Sequence, residues 1–485
     1  MELREYARYD GVGLRELMAA GQVTAGEIEA VARKALDAVN AEVNGLALPL
    51  FSPALGHAAD GPLAGVPFLI KDSGPLARGV PFFLGSRSLG PGVVARHDAD
   101  LMTRFRAAGL VTLGLTTVPE MVISFATESV RYGPTRNPWD LRRGVGGSSG
   151  GAAALVAAGA VPVAHANDGA GSLRIPASCC GLVGLKPSRG RTPCGPDAGE
   201  VLFGMAQEFA LTRTVRDAAC MLDAVSGPGT GDKYTAPPPA RRYADELAAE
   251  PPRLRVAVTT QAWSGVAVDP EVAAATRKAA GMLSELGHLV TEASPAVDWD
   301  AVLQGAATGA VAMAAPLLMA PRRPDPARME AVSRQILREA EAFSALDLIA
   351  ALDAHNRVSR AVGAFFTDYD LLVTPTLGQL PAPHGTLQYD NPGHTLASWL
   401  QSIFEYGPFT VVFNISGQPA LSLPLGRSQD GLPIGVQFVA PYGREDLLFR
   451  LAAQLERAMP WAGRIPGSFA GTAGVAGTDG VAGTD

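Results

Sequence analysis

The sequence predicts an α/β fold in which helices are layered on a substantially parallel sheet. Three observations carry this. Apolar residues make up 47% of the 485 positions and charged residues 18%, the balance of a packed globular chain rather than a disordered one. A chain of this length buries about three quarters of its unfolded surface and needs no disulfide staples. Apolar runs with strand character alternate with segments of helical periodicity.

The elements follow in order. Thr24-Ala-Gly-Glu27 has the capping-box pattern, and Ile28, Val31, Ala32, Ala35, Leu36 and Val39 recur at helical spacing up to Asn44-Gly45. Residues 63–71, LAGVPFLIK, read as a buried strand running into a polar end. Asp98 is placed to cap a helix through Ala108, with Gly109 as its stop, and residues 110–115 read as the next strand. Residues 228–253, rich in Pro, Ala and charge, read as a surface connection. A helix is expected over 269–286, with Pro270 in its first turn and Gly287 as its stop, and further helix over 330–366. Asp430-Gly431 between two apolar runs signals a β-hairpin. Leu447, Leu448, Leu451 and Leu455 mark a last amphipathic helix, ended by Pro460. After Ala470 the motif GVAGTD occurs twice, which reads as a flexible tail.

Composition narrows the function. A net charge of −7 argues against direct nucleic-acid binding. The charged N-terminus, MELREYARYD, has no apolar core of the signal-peptide kind, and the four cysteines (179, 180, 194, 220) are expected as thiols, so a cytoplasmic location is expected. No CxxC or paired-His spacing supports a metal site, and none is expected. Residues 301–321 carry no charge and are long enough to span a bilayer, but they are mostly Ala and Gly and include Pro316. A buried helix lining a core or pocket is the expectation, with no transmembrane segment.

The chemistry concentrates between Gly144 and Arg191. Gly146-Gly147-Ser148-Ser149-Gly150-Gly151 precedes an Ala-rich helix candidate. A turn of small residues, Asn167 to Ser172, precedes Leu173-Arg174-Ile175-Pro176. Such a turn leaves consecutive N–H groups free to converge, and a serine that ends it and opens a helix sits beside an anion site. That is what an oxyanion hole requires; a plain N-cap serine has the same pattern. Residues 146–150 also satisfy G-x-S-x-G, which would make Ser148 a nucleophile-elbow serine, but the loop-like segment before it lacks the strand such an elbow needs. Lys71, closing the run Val66–Ile70, either snorkels to water or, if enclosed, loses proton affinity and becomes a base.

Together these pieces resemble the amidase signature family. The lysine lies in Gly65-Val66-Pro67…Lys71-Asp72, followed by the Gly146–Gly151 run and by Asp168-Gly169-Ala170-Gly171-Ser172-Leu173-Arg174-Ile175-Pro176-Ala177. Gly181-Leu182-Val183-Gly184-Leu185-Lys186-Pro187 and Phe413-Asn414-Ile415-Ser416-Gly417-Gln418-Pro419-Ala420 continue the likeness, which spans roughly residues 10–460. Within the family, Arg136–Trp139, Ala166–Asp168 and Gly435–Gly443 look most like bacterial amidases of the 6-aminohexanoate-cyclic-dimer hydrolase type.

The resemblance implies a large twisted mixed β-sheet covered by helices on both faces, in one domain over 1–469. The core motif would occupy 65–191 and a variable helical substrate region about 295–400, with the tail at 470–485. It implies a Ser–Ser–Lys triad: Ser172 as nucleophile, Ser148 as bridging serine behind a cis Gly147–Ser148 bond, and Lys71 as a neutral general base. The N–H groups of Gly169, Ala170, Gly171 and Ser172 would form the oxyanion hole, with Ser149, Asp168 and Arg174 as supports. No cofactor is implied. The substrate would be a small hydrophobic, aryl or cyclic amide, with Met121 and Phe125 as candidates for the pocket wall, and a homodimer is compatible with the pattern. Ala170 departs from the family's usual glycine, and Leu115-Thr116-Thr117 from its usual Lys-Thr-Asn. The alternatives are an A subunit of a glutamyl-tRNA amidotransferase, where Asn commonly stands in place of Ser73, and a serine esterase on the same fold.

Overall fold

A computed structural model describes residues 1–321 and 323–472. Thr24 and Glu27 close the expected capping box, and the helix they start, Ala25–Val43, buries Ile28, Ala32, Ala35, Leu36, Val39 and Val43. Asn44, in the left-handed region at φ 55°, ends it. Strand β1 (Pro67–Lys71) is wholly buried and pairs in parallel with β2 (Val111–Thr116), Lys71 lying opposite Thr116. The helix between them, Asp100–Ala107, differs from expectation at its start. Asp98 does not cap it, because its carboxylate is taken by the Arg78 N–H at 2.7 Å and the Arg106 guanidinium at 2.8 Å.

The main sheet has eight strands. In chain order they are β3 (Val163–Asp168), β4 (Val183–Lys186), β5 (Gln207–Thr212), β6 (Arg255–Val258), β7 (Leu289–Glu292), β8 (Leu371–Pro375), β9 (Ala420–Arg427) and β10 (Pro433–Val439). Their spatial order is β7-β6-β8-β10-β9-β4-β5-β3. Only β6 with β7 and β6 with β8 are parallel; the other contacts are antiparallel. The substantially parallel sheet read from strand–helix alternation is therefore corrected to a mixed one. The reason is visible at β3 and β4. They flank the helix Arg174–Cys180 and run in the same direction, but β5 lies between them and is antiparallel to both. Alternation reports direction along the chain, not which strand is inserted later. The β9–β10 hairpin forms as predicted, with Gly431 at φ 84° in its turn.

The middle of the chain supplies helices. Trp299–Met319 starts at the Asp298 cap and contains Pro316. It is long and apolar enough to cross a membrane; Ala301, Val302, Ala306, Ala310 and Ala314 are packed into the protein, while Pro316 and Met319 near its C-terminal end are exposed. The helical stretch expected over 330–366 is two helices, Ala331–Ala342 and Ala345–Asp368. Ser344 breaks it by starting a new capping box with Asp347. Helices Pro270–Glu285 and Glu445–Ala458 match their sequence signals. Residues 228–253 form the expected irregular connection, with one short helix, Tyr243–Glu246. At the C-terminal end Ala470 is buried and donates its N–H to Ala158 O at 2.8 Å. The expected tail from residue 473 onward lies outside the described residues.

Candidate active site

The site is assembled where β1, β3 and two glycine-rich turns meet. Lys71 ends β1 and is fully buried. Its Nζ lies 2.9 Å from Ser148 Oγ and 2.5 Å from Asn167 Oδ1. Burial pushes its proton affinity down, the Glu208 and Asp168 carboxylates push back, and the ammonium titrates at about 7 instead of near 10.5. Lys71 is thus enclosed and does not snorkel.

Ser148 follows a cis Gly147–Ser148 peptide bond and precedes the wholly buried helix Gly150–Ala157. Gly150 is required there, since a Cβ would lie 2.2 Å from Thr127 Oγ1. Ser149 donates its hydroxyl to Asn167 O at 3.2 Å, away from the cavity. No strand runs directly into Ser148, as a nucleophile elbow demands: β-structure ends at Gly144.

The second turn carries Ser172. Gly171 adopts φ 149°, and a Cβ on it would meet Thr410 Oγ1 at 2.5 Å and Ile175 Cδ1 at 2.7 Å. Leu173 and Arg174 give their N–H groups to Asp168 Oδ2 at 3.2 and 3.4 Å. Among the described residues, the N–H groups of Gly169, Ala170, Gly171 and Ser172 have no protein acceptor, and the Ser172 hydroxyl has no protein partner. The turn is held from below. Arg174 binds Asp168 bidentately, both bonds 2.8 Å and both side chains fully buried. Arg174 also donates to Asn414 Oδ1, Gln437 Oε1 and Thr410 O, while Asn414 donates to Asp168 and to Met205 O. Burial opposes ionisation of Asp168, but the Arg174 charge and the hydrogen bonds from Arg174 and Asn414 outweigh it and hold the carboxyl at about 2. Thr410 ties the turn on its other side, donating to Ala170 O at 2.6 Å.

Ser148 and Ser172 both open on one cavity of about 330 Å³. Its walls are mainly apolar, from residues 122–125, the helix Trp299–Met319 (Ala306, Gly309, Ala310, Met313) and the helix Leu396–Tyr406 (Leu400, Ile403, Phe404). Phe125 and Ala170 lie on this wall. Met121 does not: its backbone turns into the left-handed region at φ 55°, and it faces a separate small void beside Met313 and Leu317. Ile123 and Ser124 occupy the wall that Met121 was expected to share.

Sequence reasoning gave no role to Asn167, Glu208 or His165. Alternation along β3 turns Asp168 toward Arg174 and Asn167 with His165 toward Lys71. Glu208 pairs with Asn167 across β5 and accepts from Asn167 Nδ2 at 3.2 Å and from His165 Nε2 at 2.6 Å. His165 Nδ1 accepts the Lys71 N–H at 3.4 Å, so its other nitrogen carries the proton. The period-2 pattern of residues 163–168 was a usable signal for one face of β3; the partner on β5 had none.

Comparison with known proteins places the chain in a family. The family profile described as Amidase matches residues 28–449. The chain is 41% identical over 482 residues to the 6-aminohexanoate-cyclic-dimer hydrolase of Paenarthrobacter ureafaciens, covering 94% of this chain and 96% of that protein. A solved structure of 6-aminohexanoate cyclic dimer hydrolase superposes with a TM-score of 0.88 at 40% identity, over 95% of this chain and 99% of that one. A bacterial aryl acylamidase of the amidase signature enzymes superposes with a TM-score of 0.79 at 26% identity, over 94% and 97%. A buried lysine behind a cis glycine–serine bond, a glycine-rich serine turn and this breadth of likeness lead to one conclusion: the chain belongs to the amidase signature family and is an amide-hydrolysing enzyme.

Proposed function

We propose that the chain cleaves a carboxylic amide through a serine acyl-enzyme, with Ser172 as nucleophile, Ser148 as proton bridge and Lys71 as base. The observation that carries this reading is the 2.9 Å approach of a fully buried, readily deprotonated Lys71 to Ser148, on the cavity Ser172 faces. A neutral amine has two N–H groups and a lone pair. Asn167 Oδ1 takes one N–H, which leaves the lone pair for the Ser148 hydroxyl proton.

Ser148 then accepts the Ser172 proton as Ser172 Oγ bonds to the substrate carbonyl carbon. The developing oxyanion is held by the uncommitted N–H groups of the 169–172 turn, which are aimed by the Asp168–Arg174 pair and need no reorganisation. Collapse expels the amine, which leaves with the proton that Lys71 returns through Ser148. Water, deprotonated by the same route, releases the acid. Every proton moves among this chain's residues, the substrate and the hydrolytic water.

The apolar cavity suits a small hydrophobic, aryl or cyclic amide. The likeness to the cyclic-dimer hydrolase favours a cyclic amide, and the same acyl-enzyme would accept esters. The four free cysteines fit a reducing compartment such as the cytoplasm. The test is to treat the purified chain with a fluorophosphonate and map the adduct by peptide mass. A label on Ser172 that disappears in Lys71→Ala is the expected result. A label on Ser148 would overturn the triad. A folded protein that takes no label would point to a partner-dependent amidotransferase subunit.

A further inference from the structure

We infer that the Glu208 carboxylate makes the cavity charge-selective: amides that are neutral or carry an ammonium group are accepted, and amides that carry a carboxylate are rejected. This rests on the amidase reading above and adds a substrate class to the same cavity.

Two carboxylates lie on the cavity wall, Glu208 and Asp197; the other ionisable side chain there, the Cys194 thiol, is pushed up to about 11 by burial and stays neutral, and among the described residues no lysine, arginine or histidine lines the cavity. Asp197 stands at the mouth, half-exposed, against His97 at 2.9 Å. Glu208 lies deeper, its side chain 17% exposed. Its two bonded partners, Asn167 and His165, bring it no cation: the amide is neutral, and burial holds His165 in its neutral form. The nearby Asp168 is already offset by Arg174. Lys71 reaches Glu208 only through Asn167, and it must lose its proton before it can act as base. In the state able to turn over, the wall therefore presents a carboxylate with no cation against it. A carboxylate has about four acceptor positions. Asn167 and His165 each occupy one, so an N–H of the substrate can take another.

Desolvation and field can be separated. An apolar cavity penalises either ion for leaving water. Only a fixed negative charge penalises a carboxylate more than an ammonium of the same length. The experiment compares kcat/KM for hexanoyl, aminohexanoyl and adipoyl para-nitroanilides, and for a second set with the charge on the aniline ring. The expected result is an ammonium-over-carboxylate preference on the order of tenfold or more in the set whose charged end lies against Glu208, shrinking as salt rises. Glu208→Gln should abolish the preference and Asp197→Asn should leave most of it. Equal penalties for both ions in both sets would overturn the inference, as would a preference that survives Glu208→Gln or is lost in Asp197→Asn. Should Glu208→Gln fail to fold, a wild-type preference insensitive to salt overturns it. Failure of the neutral anilides to react would instead remove the amidase reading itself.

Discussion

Two side chains decide the chemistry by opposite uses of burial. Lys71 is stripped of water without a bonded carboxylate, so its ammonium is destabilised and titrates at about 7. Asp168 is equally buried but bound bidentately by Arg174, so its charged form is favoured down to about 2. Because the base must be unprotonated, kcat/KM on a neutral anilide should rise as pH passes upward through about 7, and a rate independent of pH from 5 to 9 would remove Lys71 from the role. The stability consequence has a definite sign. Between about 7 and 10.5 the unfolded chain holds a proton on Lys71 that the folded chain has lost, so stability rises with pH across that window. Urea midpoints measured at several pH values should show this slope in the wild type and less of it in Lys71→Met. Ser172→Ala should lower kcat at least about a thousandfold while circular dichroism stays unchanged.

At the scale of elements, the 169–172 turn depends on what lies under it. Gly171→Ala should lower kcat by about a hundredfold or more, because its Cβ would meet Thr410 Oγ1 and Ile175 Cδ1 and shift the N–H groups that face the oxyanion. A KM change with kcat intact would count against that account. Arg174→Met leaves Asp168 as a buried charge without its partner, and should cost about 3–5 kcal/mol of unfolding free energy by urea titration. Ala170 is a milder case. It lines the cavity and, unlike proline, keeps its N–H donor, so its departure from the family's usual glycine leaves the proposed oxyanion donors in place.

For the whole molecule, the cavity joins parts of the chain that are distant in sequence. The proposed catalytic groups stand between residues 71 and 172, while a large part of the opposite wall comes from the helices Trp299–Met319 and Leu396–Tyr406. Chemistry and substrate choice can therefore be changed separately. Ala310→Leu adds bulk on that wall without touching Lys71, Ser148 or Ser172. It should raise KM for a bulky amide by about tenfold and leave fluorophosphonate labelling of Ser172 within about twofold. Loss of both together would show that the helix also holds the turn in place.

The sequence by itself determined the elements whose causes are local. The Thr24–Glu27 box, the Asp269 cap before Pro270 and the Asp430-Gly431 hairpin each depend on groups a few residues apart. The resemblance to the amidase signature family singled out Lys71, Ser148, Ser172, Asp168 and Arg174; taken alone, the serine turn read equally as an N-cap and the lysine as a snorkelling side chain. Tertiary structure alone decided the rest. Insertion of β5 between β3 and β4 made the sheet mixed and set Glu208 against Asn167 and His165, across separations of 41 and 43 residues. Contact with Arg78 and Arg106 removed Asp98 from its cap, and a left-handed backbone at Met121 turned that side chain away while Phe125 stayed on the cavity. Whether Lys71 snorkelled or was enclosed depended on β3 packing over it, some 96 residues downstream at Asn167. A local pattern states what a residue can do; the neighbours brought in by long-range pairing determine its solvent exposure, its charge and its partner, and those properties set the chemistry.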